Sequence, residues 1–210
     1  MRLIAHAAPS ASGLSASGGA RSIAKAVAAG ECEPDQALRA HAQAIAGRSG
    51  GAGKVHAGGA WREPRVHAQL AAALGARLGP ALRAEFEWYY CRGAFFHNDA
   101  HYEARLFGVW CIDGPSMEIV FPRAALRLTV ARGSIVVFDP FEVHGVLAPA
   151  RSTYTASDYQ RAATSVFLGF ELDITAALAS AFDIQDGASG PVISSRTRID
   201  ATSGAIESFD

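Results

Sequence analysis

RAEFEWYYCRGAFFHND (83–99) decides how the rest of the chain is read. Phe86, Trp88 and Tyr90 alternate with Glu85, Glu87 and Tyr89, the period of two that a strand with one buried face requires. A second extended stretch follows Gly93 and ends in His97-Asn98-Asp99. Alternate side chains of an extended chain share a face. His97 and Asp99 therefore point the same way, an imidazole beside a carboxylate.

Downstream, strand-like runs recur at 104–112, 117–121, 125–130, 133–138, 143–148 and 164–172, with Gly114-Pro115, Pro122, Gly133 and Asp139-Pro140 as turns between them. Upstream the period changes to that of helices. Pro34-Asp35 opens one, with Leu38, Ala42 and Ile45 on one face and Gly47 to stop it. Pro64 opens a second, with Val66, Leu70, Leu74 and Leu78 on one face before Gly79-Pro80. Composition shifts near Trp61, since residues 1–60 are dominated by Ala, Gly and Ser and include a flexible-looking stretch at 47–59. The expected organisation is an Ala/Gly-rich N-terminal arm with one helix (1–60), a β core with a leading helix (61–173), and a C-terminal extension (174–210) with a short helix and a poorly defined tail. Helices followed by at least seven short strands predict an α+β fold, with a sandwich or barrel of antiparallel strands.

With 210 residues, half of them hydrophobic, the chain is long enough for one domain with a sizeable core. A formal net charge of −1 with no basic cluster argues against nucleic acid as a partner. No apolar run approaches the length of a membrane span, so no membrane partner is expected. Three cysteines without a CxxC pair, and a start (MRLIAHAAPSASG) broken by His6 and Pro9, fit a reduced cytoplasmic protein without a secretory signal. Oligomeric state is not legible.

Of seven histidines, His6, His41, His56 and His67 have no acidic or cysteine neighbours at ligand spacing. His144 is different, because it follows the Asp139-Pro140 turn at the start of a strand that an antiparallel barrel can bring opposite His97. Two histidines and one carboxylate on one face of an octahedron leave three positions open, the arrangement of non-haem iron(II) oxygenases. A lone H-x-D is common by chance. On the residues alone, a metal site and a merely structural pair remain open.

FFHND (95–99) together with GSIVVFDPFEVH (133–144) resembles the Fe(II)/2-oxoglutarate-dependent oxygenase superfamily over roughly 83–172. YCRGAFFHND (90–99) is similar to its prolyl-hydroxylase-like branch. The resemblance implies a double-stranded β-helix (a jelly-roll or cupin-like barrel) with the N-terminal helices packed on it. It implies His97, Asp99 and His144 as catalytic iron(II) ligands, with 2-oxoglutarate and O2 as cosubstrates. Arg161, ahead of TSVFLGFEL, is the expected partner of the 2-oxoglutarate distal carboxylate, because a guanidinium matches a carboxylate with two parallel hydrogen bonds. Tyr90 and Ser165 are expected hydroxyl donors to the same carboxylate. Arg161 lies farther past His144 than the family's basic residue usually does, which leaves Arg151 as a rival, whereas Arg127 is expected to face solvent. His101 and Glu103 share parity with the ligand pair, and a cupin would use H-x-H and a following Glu on one strand. Walls for the site are expected from Trp88, Tyr89, Phe95, Phe96, Tyr102, Phe107 and Trp110. The expected function is hydroxylation of a small molecule or amino acid, the alternatives being a protein side-chain hydroxylase and a cupin-like metal protein that does not use 2-oxoglutarate.

Overall fold

The computed structural model describes residues 1–5, 15–16, 21–48, 51–99, 105–186, 192–193 and 198–207. His6, His101, Tyr102 and Glu103 lie outside them. The chain opens with β1 (Arg2–Ala5), β2 (Ser15–Ala16) and β3 (Ala26–Glu31), followed by α1 (Gln36–Ala46), β4 (Val55–Trp61) and α2 (Pro64–Leu78). The core strands are β5 (Leu82–Cys91), β6 (Ala94–His97), β7 (Arg105–Asp113), β8 (Met117–Phe121), β9 (Leu126–Val130), β10 (Ser134–Phe138), β11 (His144–Leu147) and β12 (Ser165–Asp173). After them come α3 (Ala176–Ala181), β13 (Val192–Ile193), β14 (Arg198–Ile199) and β15 (Ile206–Glu207).

Both expected helices form on the residues that predicted them. Asp35 caps α1 by accepting from the Leu38 N–H, and Leu38, Ala42 and Ile45 are its buried face. Pro64 starts α2, which buries Val66, Leu70, Leu74 and Leu78. These faces close over one side of a seven-stranded sheet of order β1-β3-β10-β7-β12-β5-β4. Phe86, Trp88, Trp110, Leu168 and Phe170 fill that layer. The sheet's other side faces a four-stranded sheet of order β6-β11-β8-β9, across a second core that includes Phe107, Ile119, Phe121, Phe138 and Phe167. From β5 onward the chain steps between the sheets, β5 large, β6 small, β7 large, β8 and β9 small, β10 large, β11 small, β12 large. The helices are few and sit on one side only.

Composition alone misplaced the N-terminal third. Residues 1–60, expected as an arm, contribute β1, β3 and β4 to the large sheet, and β3 pairs with β10 from Ser134↔Glu31 to Val137↔Ala28. The second half of the stretch expected to be flexible falls in Val55–Trp61, the edge strand paired with β5. The C-terminal extension is likewise built in. Leu178, Phe182 and Ile184 join the helix-side core, and Ile199 and Ile206 cover the outer face of the small sheet.

One buried carboxylate ties these parts together. Asp139, at the end of β10, is 1% exposed and accepts from both Nη atoms of Arg21 (2.6 and 3.2 Å) and from the Ala24 and Phe141 N–H groups. Removing one member of a buried charged pair typically costs about 3–5 kcal/mol, because the survivor is stranded in low dielectric. Arg21→Met should therefore destabilise the fold by about that much in urea denaturation. Arg62→Met removes the exposed pair with Glu85 and should cost less than about 1 kcal/mol. Equal losses in the two variants would contradict the role given to Asp139.

Candidate metal centre

The small sheet brings the three expected ligands to one place. β6 and β11 pair antiparallel, with His97 directly opposite His144. Their rings lie 4.5 Å apart between centroids. Asp99 follows the end of β6, where its N–H donates to Pro140 O at 2.8 Å. That bond binds the H-x-D stretch to the loop leading into His144. The Asp99 carboxylate lies 3.9 Å from His97 Nε2 and 3.5 Å from His144 Nε2. One nitrogen from each histidine and one carboxylate oxygen fall within 4.8 Å of one another, the only such group of His, Cys, Asp and Glu among the described residues.

The tautomers follow from the backbone. His97 Nδ1 is 2.7 Å from Phe95 O, and His144 Nδ1 is 2.9 Å from Glu142 O. A carbonyl oxygen only accepts, so Nδ1 carries a proton in both rings and Nε2 is the nitrogen turned toward Asp99. Metal-binding histidines are oriented in this way by the hydrogen bond of their other nitrogen. Burial, reinforced by the neighbouring His97, pushes His144 down to about 4, against the opposing pull of Asp99 and the Glu142 carbonyl. His144 is thus neutral at pH 7. Two imidazoles and one carboxylate suit a divalent first-row metal, so the residues present fit the ion that the sequence implies.

The triad opens on a chamber of about 240 Å³ between the sheets, walled by Tyr89, Cys91, Phe107, Ile119, Phe138 and Phe167. Of the aromatic walls expected from sequence, Tyr89 and Phe107 are there. Trp88 and Trp110 belong to the helix-side core, and Phe96 packs on the small sheet's outer face. Phe95 is half-buried with its ring edge-on to His97, and Tyr102 lies outside the described residues. Phe138, Phe167 and Cys91 were missed, although each sits in a run that reads as a strand. Burial pushes the Cys91 and Cys111 thiols up to about 12, so neither offers a thiolate at neutral pH.

The expected 2-oxoglutarate residues do not gather at this chamber. Arg161 is exposed in the segment ahead of β12. Tyr90 faces the helix side and stacks on His56 at 5.2 Å. Ser165 is buried opposite Cys91, and its hydroxyl has no hydrogen-bond partner among the described residues. The rival Arg151 is exposed and paired with Asp158, and Arg127 is held by Glu118 and the Arg151 carbonyl. No Lys or Arg is among the described residues lining the chamber. Glu142 was missed as well. Two residues before His144, it is 5% exposed and 3.7 Å from Arg123, and burial pushes its carboxyl up to about 7.

No family model matches the chain, and no curated protein matches it. Among solved structures it is similar to a cupin domain from Bordetella pertussis Tohama I, at 12% identity over 43% of this chain and 81% of that one, with a TM-score of 0.29. It is similar to the polyketide cyclase RemF from Streptomyces resistomycificus at 11% identity, over 44% of this chain and 63% of that one, with a TM-score of 0.28. A prolyl-4-hydroxylase from Pseudomonas putida aligns at 14% identity over 73% of this chain and 74% of that one, with a TM-score of 0.28. Likenesses this distant carry no argument about chemistry. The cupin-like β fold rests on the two facing antiparallel sheets and their strand order.

The two buried groups flanking the site oppose each other in pH. Neutral His144 contributes stability that is complete above its ordinary value of 6.5 and is lost as pH falls toward about 4. Protonated Glu142 contributes stability that is complete below its ordinary value of 4.5 and is lost as pH rises toward about 7. Between these limits the two slopes largely cancel in the metal-free protein. Glu142→Gln removes one of them. Its stability in urea should then fall by about 1.4 kcal/mol per pH unit on acidification through the His144 window. The unmutated chain should change much less, and identical profiles would show that the two groups do not oppose each other.

Proposed function

We propose that this chain is a mononuclear non-haem iron(II) oxygenase on a double-stranded β-helix, hydroxylating a small molecule with O2 and with 2-oxoglutarate as cosubstrate. The observation that carries the reading is the convergence of two Nε2 lone pairs and one carboxylate at the wall of an apolar chamber. Strand order supports the fold part of it, since from β5 to β12 the chain passes back and forth between two facing sheets, with only β8 and β9 consecutive in one of them. Bound iron(II) supplies the redox chemistry that turns O2 into an oxidant of C–H bonds.

The remaining work falls to this chain's own groups. His97 and His144 hold their Nε2 atoms in place because Nδ1 is tied to a backbone carbonyl two residues earlier in each case. Asp99 supplies the one negative charge, and its backbone bond to Pro140 O fixes where it starts from. Three protein ligands leave open positions for oxygen and cosubstrate. Phe107, Phe138 and Phe167 keep water away from the substrate's apolar part, so that oxidation is spent on the carbon held there.

A second reading, an iron oxygenase of cupin type that works without 2-oxoglutarate, is favoured by one observation. None of the described residues lining the chamber is a cation that could meet a distal carboxylate. Both readings require the metal, and succinate separates them.

Purified protein should take up one iron(II) per chain, and His97→Ala, Asp99→Ala and His144→Ala should each lose it by at least about tenfold in affinity. Full iron uptake by any one variant would remove that residue from the site. Under O2 with 2-oxoglutarate, succinate should appear only in the iron-loaded protein. Oxygen consumption with a substrate panel but without succinate would establish the second reading instead.

A further inference from the structure

Beside the chamber, on the same face of the large sheet, lies a second hollow of about 480 Å³, and Tyr89 and Phe107 line both. β5 changes character at this boundary. Cys91 and Tyr89 face the metal chamber, whereas Glu87 and Glu85 face the groove. Gly169 of β12 stands opposite Glu87 in register, and a Cβ there would come within 2.3 Å of the Tyr89 ring. Glycine thus lets that ring lie across β12, edge to face with Phe107 at 5.9 Å between centroids. From there the Tyr89 hydroxyl donates to Glu87 Oε2 at 2.7 Å. Tyr89 is therefore the partition, apolar on the chamber side and hydrogen-bonding on the groove side.

The groove's charges are unequal. Arg62 pairs with Glu85, Arg105 with Glu171, and Arg83 with Asp173 at 3.0 Å and with Glu171 at 3.6 Å. Three guanidinium groups thus meet four carboxylates, and among the described residues Glu87 is the carboxylate with no ion-pair partner. A ligand anion would share a guanidinium that a carboxylate already holds, with Glu87 repelling it. A ligand ammonium gains a carboxylate already oriented by Tyr89, and the ring beside it attracts a cation further.

We propose that this groove takes the cationic end of the substrate, with an ammonium on Glu87 and the hydrocarbon running past Tyr89 into the metal chamber. The assignment of the chamber end as the oxidised end rests on the oxygenase reading above. The binding itself does not. Two residues along a strand span about 7 Å, so the ammonium and the hydrocarbon in the chamber are a few methylene groups apart, and the substrate class is a short aliphatic amine.

Isothermal titration calorimetry of the full chain at pH 7 with n-hexylamine, 1-hexanol and hexanoate tests this. The amine should bind about tenfold more tightly than the alcohol, with hexanoate weakest. Glu87→Gln should bring the amine down to the level of the alcohol while leaving the alcohol's affinity and iron uptake unchanged. Equal affinity for amine and alcohol would overturn the proposal. So would a preference that survives Glu87→Gln, since that places the amine elsewhere. A protein that takes up no iron yet keeps a Glu87-dependent preference would overturn the oxygenase reading and leave the ammonium site standing.

Discussion

The buried pairing of Asp139 with Arg21 is the constraint on which the site depends. Asp139 ends the strand β10, and its four hydrogen bonds hold Arg21, Ala24 and Phe141 around one carboxylate. A charge 1% exposed is tolerable only because every partner is in place. The residue after it, Pro140, gives its carbonyl to the Asp99 N–H, and the same loop delivers His144. An ion pair between the N-terminal segment and the end of a core strand thereby holds the loop that meets Asp99 and leads into His144.

The metal centre then follows from strand pairing. Antiparallel register puts His97 opposite His144, and each ring is turned by the carbonyl two residues behind it. The same local device is used twice. The Phe95 carbonyl belongs to β6 and the Glu142 carbonyl to the turn leading into β11, so both Nε2 atoms are aimed before any ion arrives. That is the preorganisation a metal site needs from its surroundings.

Much of this was legible in the sequence, for identifiable reasons. Both helices have proper starts and one apolar face each, and the strands from Leu82 to Asp173 carry enough Val, Ile and aromatic residues to show their period. The period of two puts His97 and Asp99 on one face, while His144 was added to them by the turn before it and by the family resemblance. The strands β3 and β4 were not, since AVAAGE and VHAGGAW are built largely of residues that favour no strand and owe their state to the neighbours they pair with. Tyr90 belongs to the face of β5 that the period of two marks as buried. In fact helices cover one face and the metal chamber the other. Arg161 is exposed and not among the described residues lining the chamber, for a related reason. Closeness in sequence to an apolar strand does not say on which side of the sheet the preceding loop emerges.

The central claim is that these three side chains hold one iron(II) through the two Nε2 atoms and the Asp99 carboxylate. Crystals of the iron-loaded protein, measured on both sides of the iron absorption edge, test it most directly. The account predicts a single anomalous peak bonded to His97 Nε2, His144 Nε2 and Asp99. A peak at Glu142 or at a histidine Nδ1, or no peak at saturating iron, would contradict it.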